Sequence, residues 1–110
     1  MGMNLEPHFI AELVYRKTED GGRKTAANNG YRPQVKFGFT ENQTSGIQKF
    51  IGKESVMPGE KVLAEITVLS PHFFEGKLEV GMEFTFNEGL TIIGTGKVTE
   101  ILCGDLKASS

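Results

Sequence analysis

His8 and His72 are the only imidazoles in this chain and Cys103 is its only thiol. They stand far apart in sequence, and neither histidine is at metal-ligand spacing from the other or from the cysteine. A lone thiol beyond the last apolar run reads as a small side chain rather than a nucleophile. The carboxylates are scattered singly, as on solvated strand faces, with no paired acid and base. No G-x-x-x-x-G-K-[ST] run is present to cradle a nucleoside triphosphate, so no nucleotide ligand is expected. Gly94-Thr95-Gly96 opens like a dinucleotide fingerprint, but it lies inside a strand pattern with no helix after it. These readings lead to the expectation of a non-enzymatic chain and call for no metal or cofactor.

What remains is contact chemistry. Arg16, Lys17, Arg23, Lys24 and Arg32 make up five of the twelve basic residues and fall in one stretch, interrupted by Glu19 and Asp20. A solvated loop and a phosphate-contacting edge both fit that stretch. Phe37, Phe39, Phe84 and Phe86 alternate as core residues do, not as a stacking platform for single strands. Phe73 and Phe74 are adjacent and cannot both face inward on a regular strand. One of them is expected as an exposed protein contact or as a cap on the end of the fold.

The chain has 110 residues, 38% apolar and 24% charged, and a formal net charge of -2. That length supports about one domain with one core. No global basic field draws nucleic acid or an anionic membrane, so any RNA contact must be local. A single cysteine excludes a disulfide framework and suits a reducing compartment, with cytoplasm the expectation. No apolar run approaches the roughly 20 residues of a spanning helix, so no membrane contact is expected.

Period-2 alternation recurs along the chain and helical spacing does not, which predicts an all-β fold of six strands. Phe9, Ala11, Leu13 and Tyr15 share one face of the first run, and a polar loop follows as far as about Arg32-Pro33. Val35, Phe37 and Phe39 mark the second run. The third centres on Ile47 to Ile51, after a turn read at Glu41 to Gly46. Met57-Pro58-Gly59-Glu60 is a turn, and Val62, Ala64, Ile66 and Val68 then alternate up to Ser70-Pro71. Leu78, Val80, Met82, Phe84 and Phe86 share a face of the fifth run. Asn87-Glu88-Gly89 is a short hairpin into the sixth, Thr91 to Leu102, where Gly94 and Gly96 suit a bend or a close backbone approach. The expected division is an N-terminal extension over 1–7, one barrel domain over 8–102 and a frayed tail over 103–110.

Four segments, Gly21-Gly22-Arg23-Lys24-Thr25, Gly30-Tyr31-Arg32-Pro33-Gln34, Val56-Met57-Pro58-Gly59-Glu60, and Glu88-Gly89 with Gly94-Thr95-Gly96-Lys97-Val98, carry a resemblance. In this order and spacing, the chain resembles the C-terminal β-barrel domain, the third domain, of translation elongation factor Tu. The resemblance implies a six-stranded antiparallel Greek-key barrel. In that family a GTP-binding domain and another barrel precede this domain, and the three deliver aminoacyl-tRNA. The family barrel touches the tRNA T-stem backbone, and the matching positions here are Gln34, Ser45 (or Thr44) and Glu88-Gly89. With Arg23, Lys24 and Arg32 they form the expected RNA-binding set. Amide and hydroxyl donors can reach phosphate and 2′-hydroxyl oxygens, which suits shape readout rather than base reading.

Departures from the family pattern are also present. Ala26-Ala27-Asn28-Asn29 replaces a Pro and two aromatic residues that help the family barrel meet its GTPase domain. Thr91 stands where an Arg is usual, and about four extra residues lengthen the connection around His72 to Gly76. The leading expectation is a stand-alone, non-enzymatic binding module that contacts tRNA or other structured RNA weakly. The alternative is a protein-interaction module, binding a translation factor or a second copy of itself through a barrel face, with Phe73 and Phe74 as contacts.

Overall fold

The structure is a computed structural model describing residues 6–108. Eight strands occur in chain order: β1 (Phe9–Tyr15), β2 (Ala27–Asn28), β3 (Gln34–Phe37), β4 (Thr44–Phe50), β5 (Ser55–Val56), β6 (Lys61–Val68), β7 (Glu83–Glu88) and β8 (Thr91–Ile101). Six of them close into a barrel in the order β1-β6-β4-β3-β7-β8, with β8 pairing back onto β1. Every pairing between barrel strands is antiparallel. β3, β4 and β6 are consecutive neighbours and β1 lies beside β6, so the long loop from β1 to β3 makes the Greek-key crossing. Within that crossing, β2 pairs with β5 and ties the loop to the β4–β6 connection.

Alternation explains most of the core. Phe9, Ala11, Leu13 and Tyr15 of β1 are buried, as are Val62, Ala64, Ile66 and Val68 of β6. Phe37 and Phe84 stack with centroids 4.8 Å apart, and Phe9 meets both rings edge-on at 6.0 and 5.8 Å. Gly94 and Gly96 lie directly opposite Phe86 and Phe84 on β7, and their missing side chains leave the space those rings fill. The close approach expected at these glycines is to a ring at Gly96, and to both a ring and the Val14 backbone carbonyl at Gly94.

The third run differs from expectation in extent and face. β4 begins at Thr44, inside the segment read as a turn, and Thr44, Gly46, Gln48 and Phe50 face inward. Ile51 is exposed and Ile47 half-buried. A buried glutamine is tolerated because the Tyr15 hydroxyl donates to Gln48 Oε1. Gly46 must face in, because a Cβ there would lie 2.5 Å from Val35 Cγ2. These two residues fix a register that the isoleucines alone would set the other way.

The fifth run is also shorter than its alternation suggests. β7 starts only at Glu83, and Gly81 takes φ +95°, turning the chain so that Val80 is 63% exposed. The expectation for residues 103–110 is corrected as far as Ala108, because that segment is docked. Leu106 is buried, the Lys77 and Leu78 N–H groups donate to its carbonyl at 3.0 and 2.8 Å, and Ala108 N–H donates to Leu78 O at 2.8 Å. An apolar side chain and this short parallel bridge hold it against the β6–β7 connection. Of the extension expected at 1–7, residues 1–5 lie outside the described residues.

His8, just before β1, ties the end of β6 to the end of β8. Its Nδ1 accepts the Val68 N–H at 3.0 Å, and its carbonyl accepts from Leu102 N–H at 2.9 Å and Cys103 N–H at 3.0 Å. Burial lowers its pKa from the ordinary 6.5. The fold therefore holds neutral imidazole while the unfolded chain takes up a proton near its ordinary value. That difference stabilises the fold above about pH 6.5 and is lost as pH falls through the lowered folded value. Urea midpoints should drop between about pH 7.5 and 5.5 in the native chain. In His8→Asn, which keeps an acceptor but cannot titrate, the drop should shrink; an equal drop in both would assign it to other groups.

Candidate functional site

Gln34 opens β3 and stands directly opposite Ser45 of β4 on one side and Asn87 of β7 on the other. Gln34 Nε2 donates to Ser45 Oγ at 3.1 Å. Asn87 Nδ2 donates to Gln43 Oε1 at 3.2 Å and to the Gly89 carbonyl at 2.8 Å. Three adjacent strands thus bring a hydroxyl and two amides into one row, with Gln34 and Ser45 half-exposed. Thr44, the other hydroxyl considered at this turn, is buried, and its Oγ1 accepts the Ser70 N–H at 2.9 Å. Ser45 is the hydroxyl on the outer face.

Glu88 ends β7, and Gly89 and Leu90 make a two-residue turn into Thr91 of β8. Gly89 takes φ +59°, the positive φ that such a hairpin needs at its first corner. Glu88 Oε2 accepts from the Tyr31 hydroxyl and from Arg23 Nη1. The Arg23 guanidinium also lies 4.7 Å from the Tyr31 ring centroid, and its Nε donates to Thr25 O at 3.3 Å. The Tyr31 hydroxyl bond first, and then Arg23, hold the Glu88 carboxyl below its ordinary range. Burial first, with the Glu88 carboxylate adding to it, pushes the Tyr31 hydroxyl up. A surface ion pair alone contributes little, but a carboxylate, a ring and a guanidinium sharing one point pin the long loop to the hairpin.

The expected site residues therefore fall into three groups. Gln34 and Ser45 meet directly. Arg23, Glu88 and Gly89 form the neighbouring hairpin cluster, in which Arg23 is committed to Glu88 rather than open to a ligand. Lys24 and Arg32 are exposed, and neither forms an ion pair among the described residues. Phe73 and Phe74 lie elsewhere, on a 3₁₀ turn at Pro71–Phe74. Phe74 is 1% exposed and packs on Phe37 at 5.3 Å, so it is a core residue and not an interaction contact. Phe73 is half-buried beside the His72 ring. Asn87 and Tyr31 complete the two clusters but were not singled out by sequence. Tyr31 sits in the Tyr-Arg-Pro-Gln segment, and the sequence around Asn87 marks it only as a turn residue.

Among the described residues, no group of three or more His, Cys, Asp or Glu is placed to hold a metal. The model of the elongation factor Tu C-terminal domain family matches residues 4–102. The chain belongs to that family. The elongation factor Tu C-terminal domain is a non-catalytic β-barrel, and the closed six-stranded antiparallel barrel here has that fold. The chain is accordingly a module related to translation factors. Among the described residues, no helix is long and apolar enough to cross a membrane.

Proposed function

We propose that this elongation factor Tu C-terminal domain binds tRNA or another structured RNA weakly, through the row of Ser45, Gln34 and the Glu88-Gly89 hairpin. The carrying observation is the register that sets Gln34 beside Ser45 on one side and Asn87 on the other. Gln34 and Ser45 lie half-exposed on neighbouring strands, spaced as strands are at about 4.8 Å, and suit contact with a sugar-phosphate backbone, while buried Asn87 is committed to Gln43 and Gly89 and braces the hairpin. Both bonds to Glu88 use Oε2, leaving Oε1 to accept from a 2′-hydroxyl. Exposed Lys24 and Arg32 add the local positive charge that a chain of net charge -2 otherwise lacks.

Few phosphate contacts predict micromolar or weaker binding that falls with salt. In fluorescence anisotropy with bulk tRNA, binding at about 50 mM salt should weaken severalfold by about 200 mM. Gln34→Ala with Ser45→Ala should weaken it further. Glu88→Gln tests the hairpin better than Glu88→Ala, because the amide can still accept from Tyr31 and Arg23. Absence of binding at low salt, or binding indifferent to the Gln34 and Ser45 changes, would overturn the reading.

A further inference from the structure

The outer face of β4, β6 and β1 carries a small group of exposed apolar side chains among the charges of Glu12, Lys49, Lys61 and Glu65. Ile51 of the β4 exit is 45% exposed, Leu63 of β6 44% and Val14 of β1 37%, and half-buried Ile10 and Ile47 flank them. The backbone registers make them neighbours. Ile51 N–H donates to Leu63 O, Leu63 stands opposite Glu12, and Val14 stands opposite Lys61. Ile51 and Leu63 adjoin directly, and Val14 and Ile10 lie diagonal to Leu63 on either side of Glu12; exposed apolar side chains grouped in this way mark a contact face. The barrel is closed, so a partner cannot add a strand and must pack face to face.

The charges around the patch select the partner. On β6, Lys61 lies two residues before Leu63 and Glu65 two residues after it, both on the outer face with Leu63. Val14 stands level with Lys61, and Ile10 with Glu65. A two-fold axis through the level of Leu63, lying across the strands, places a second copy with these levels exchanged. Leu63 then meets Leu63, Ile51 meets Ile51, Val14 meets Ile10, and Lys61 of each copy meets Glu65 of the other. The remaining charges are balanced within each sheet, since Lys49 stands opposite Glu65 and Glu12 opposite Lys97. Glu12 is brought toward its own copy with Lys97 beside it, and Glu100 faces Thr95. We propose that this face binds a second copy of the chain as a two-fold dimer, with Leu63 at its centre.

The patch covers only parts of three short strands, less than the roughly 800 Å² per partner of a standard interface, so the dimer should be weak and concentration-dependent. Sedimentation velocity on the 110-residue chain from about 10 µM to about 1 mM should show the weight-average mass rise toward twice the monomer. Leu63→Arg should weaken dimerisation at least tenfold, and its outward side chain leaves the core intact. Lys61→Glu should weaken it several-fold, and Lys61→Glu with Glu65→Lys and Lys49→Glu, which keeps the pair opposite residue 65 complementary, should restore it. A monomer throughout the range, a dimer indifferent to Leu63→Arg, or a charge exchange that fails to restore association would each overturn the proposal.

Discussion

Replacing Phe84 by alanine should cost about 3–5 kcal/mol of stability, the largest single-residue effect we expect in the barrel. Phe84 is 4% exposed, stacks on Phe37 at 4.8 Å and meets Phe9 edge-on at 5.8 Å. Truncation removes one ring of a set of three that all pack on one another and leaves a cavity beside a glycine, which has no side chain to relax into it. Domain stabilities run from about 5 to 15 kcal/mol, so the variant should sit close to unfolding at room temperature. The check is the shift in urea midpoint at unchanged m-value. A loss below about 1 kcal/mol would show that Phe84 does not occupy the core position the β7 register assigns to it.

Gly96→Ala should be destabilising from the opposite direction, by overfilling, at about 1–3 kcal/mol. A Cβ on Gly96 would stand 2.2 Å from Phe84 Cζ and 2.7 Å from each Cε, because the ring lies across the glycine opposite it. The conflict is with a side chain, so a smaller partner should relieve it. Gly96→Ala combined with Phe84→Leu should lose less than the sum of the single changes, by at least about 0.5 kcal/mol. Gly94→Ala should resist the same remedy. Its Cβ would lie 2.4 Å from Phe86 Cζ but also 2.5 Å from the Val14 carbonyl oxygen, which is backbone held in the β1–β8 pairing. Strictly additive losses at Gly96 and Phe84 would mean that the ring is not what requires glycine there.

Strands whose inward residues are all apolar are readable from sequence, which is why β1 matches its alternation residue by residue and β6 departs from it only at Thr67, which is buried. β4 is harder to read because its inward set is Thr44, Gly46, Gln48 and Phe50, three of them small or polar. Its most apolar residues, Ile47 and Ile51, face the other way, and the outward patch they help form looks like a core in one dimension. The partner that makes Gln48 acceptable, Tyr15, is 33 residues away and leaves no local trace. In the tail, one apolar residue, Leu106, decides docking, and a single residue sets no period.

The candidate site divides along the same line. Gln34, Ser45 and Glu88 could be named because family motifs carry them, and register then explains why two of them meet. The commitment of Arg23 to Glu88 joins residues 65 apart through a ring contributed by Tyr31, and composition shows only a basic loop. Phe73 and Phe74 could not be divided between core and surface until the 3₁₀ turn at Pro71–Phe74 had set their directions.

The pairing of β8 with β1 also constrains how the molecule is made. Within the barrel β1 is made first and β8 last, so during synthesis β1 and β7 each keep one unpaired edge until residues 91–101 emerge. Pairing of such distant segments favours slow folding, and open edges at that stage invite association between nascent chains. Gly94 and Gly96, which admit the rings of Phe86 and Phe84, lie in that last-made strand. Truncation before β8 would therefore leave an open, aggregation-prone sheet instead of a smaller folded domain, and ring closure is an all-or-none event.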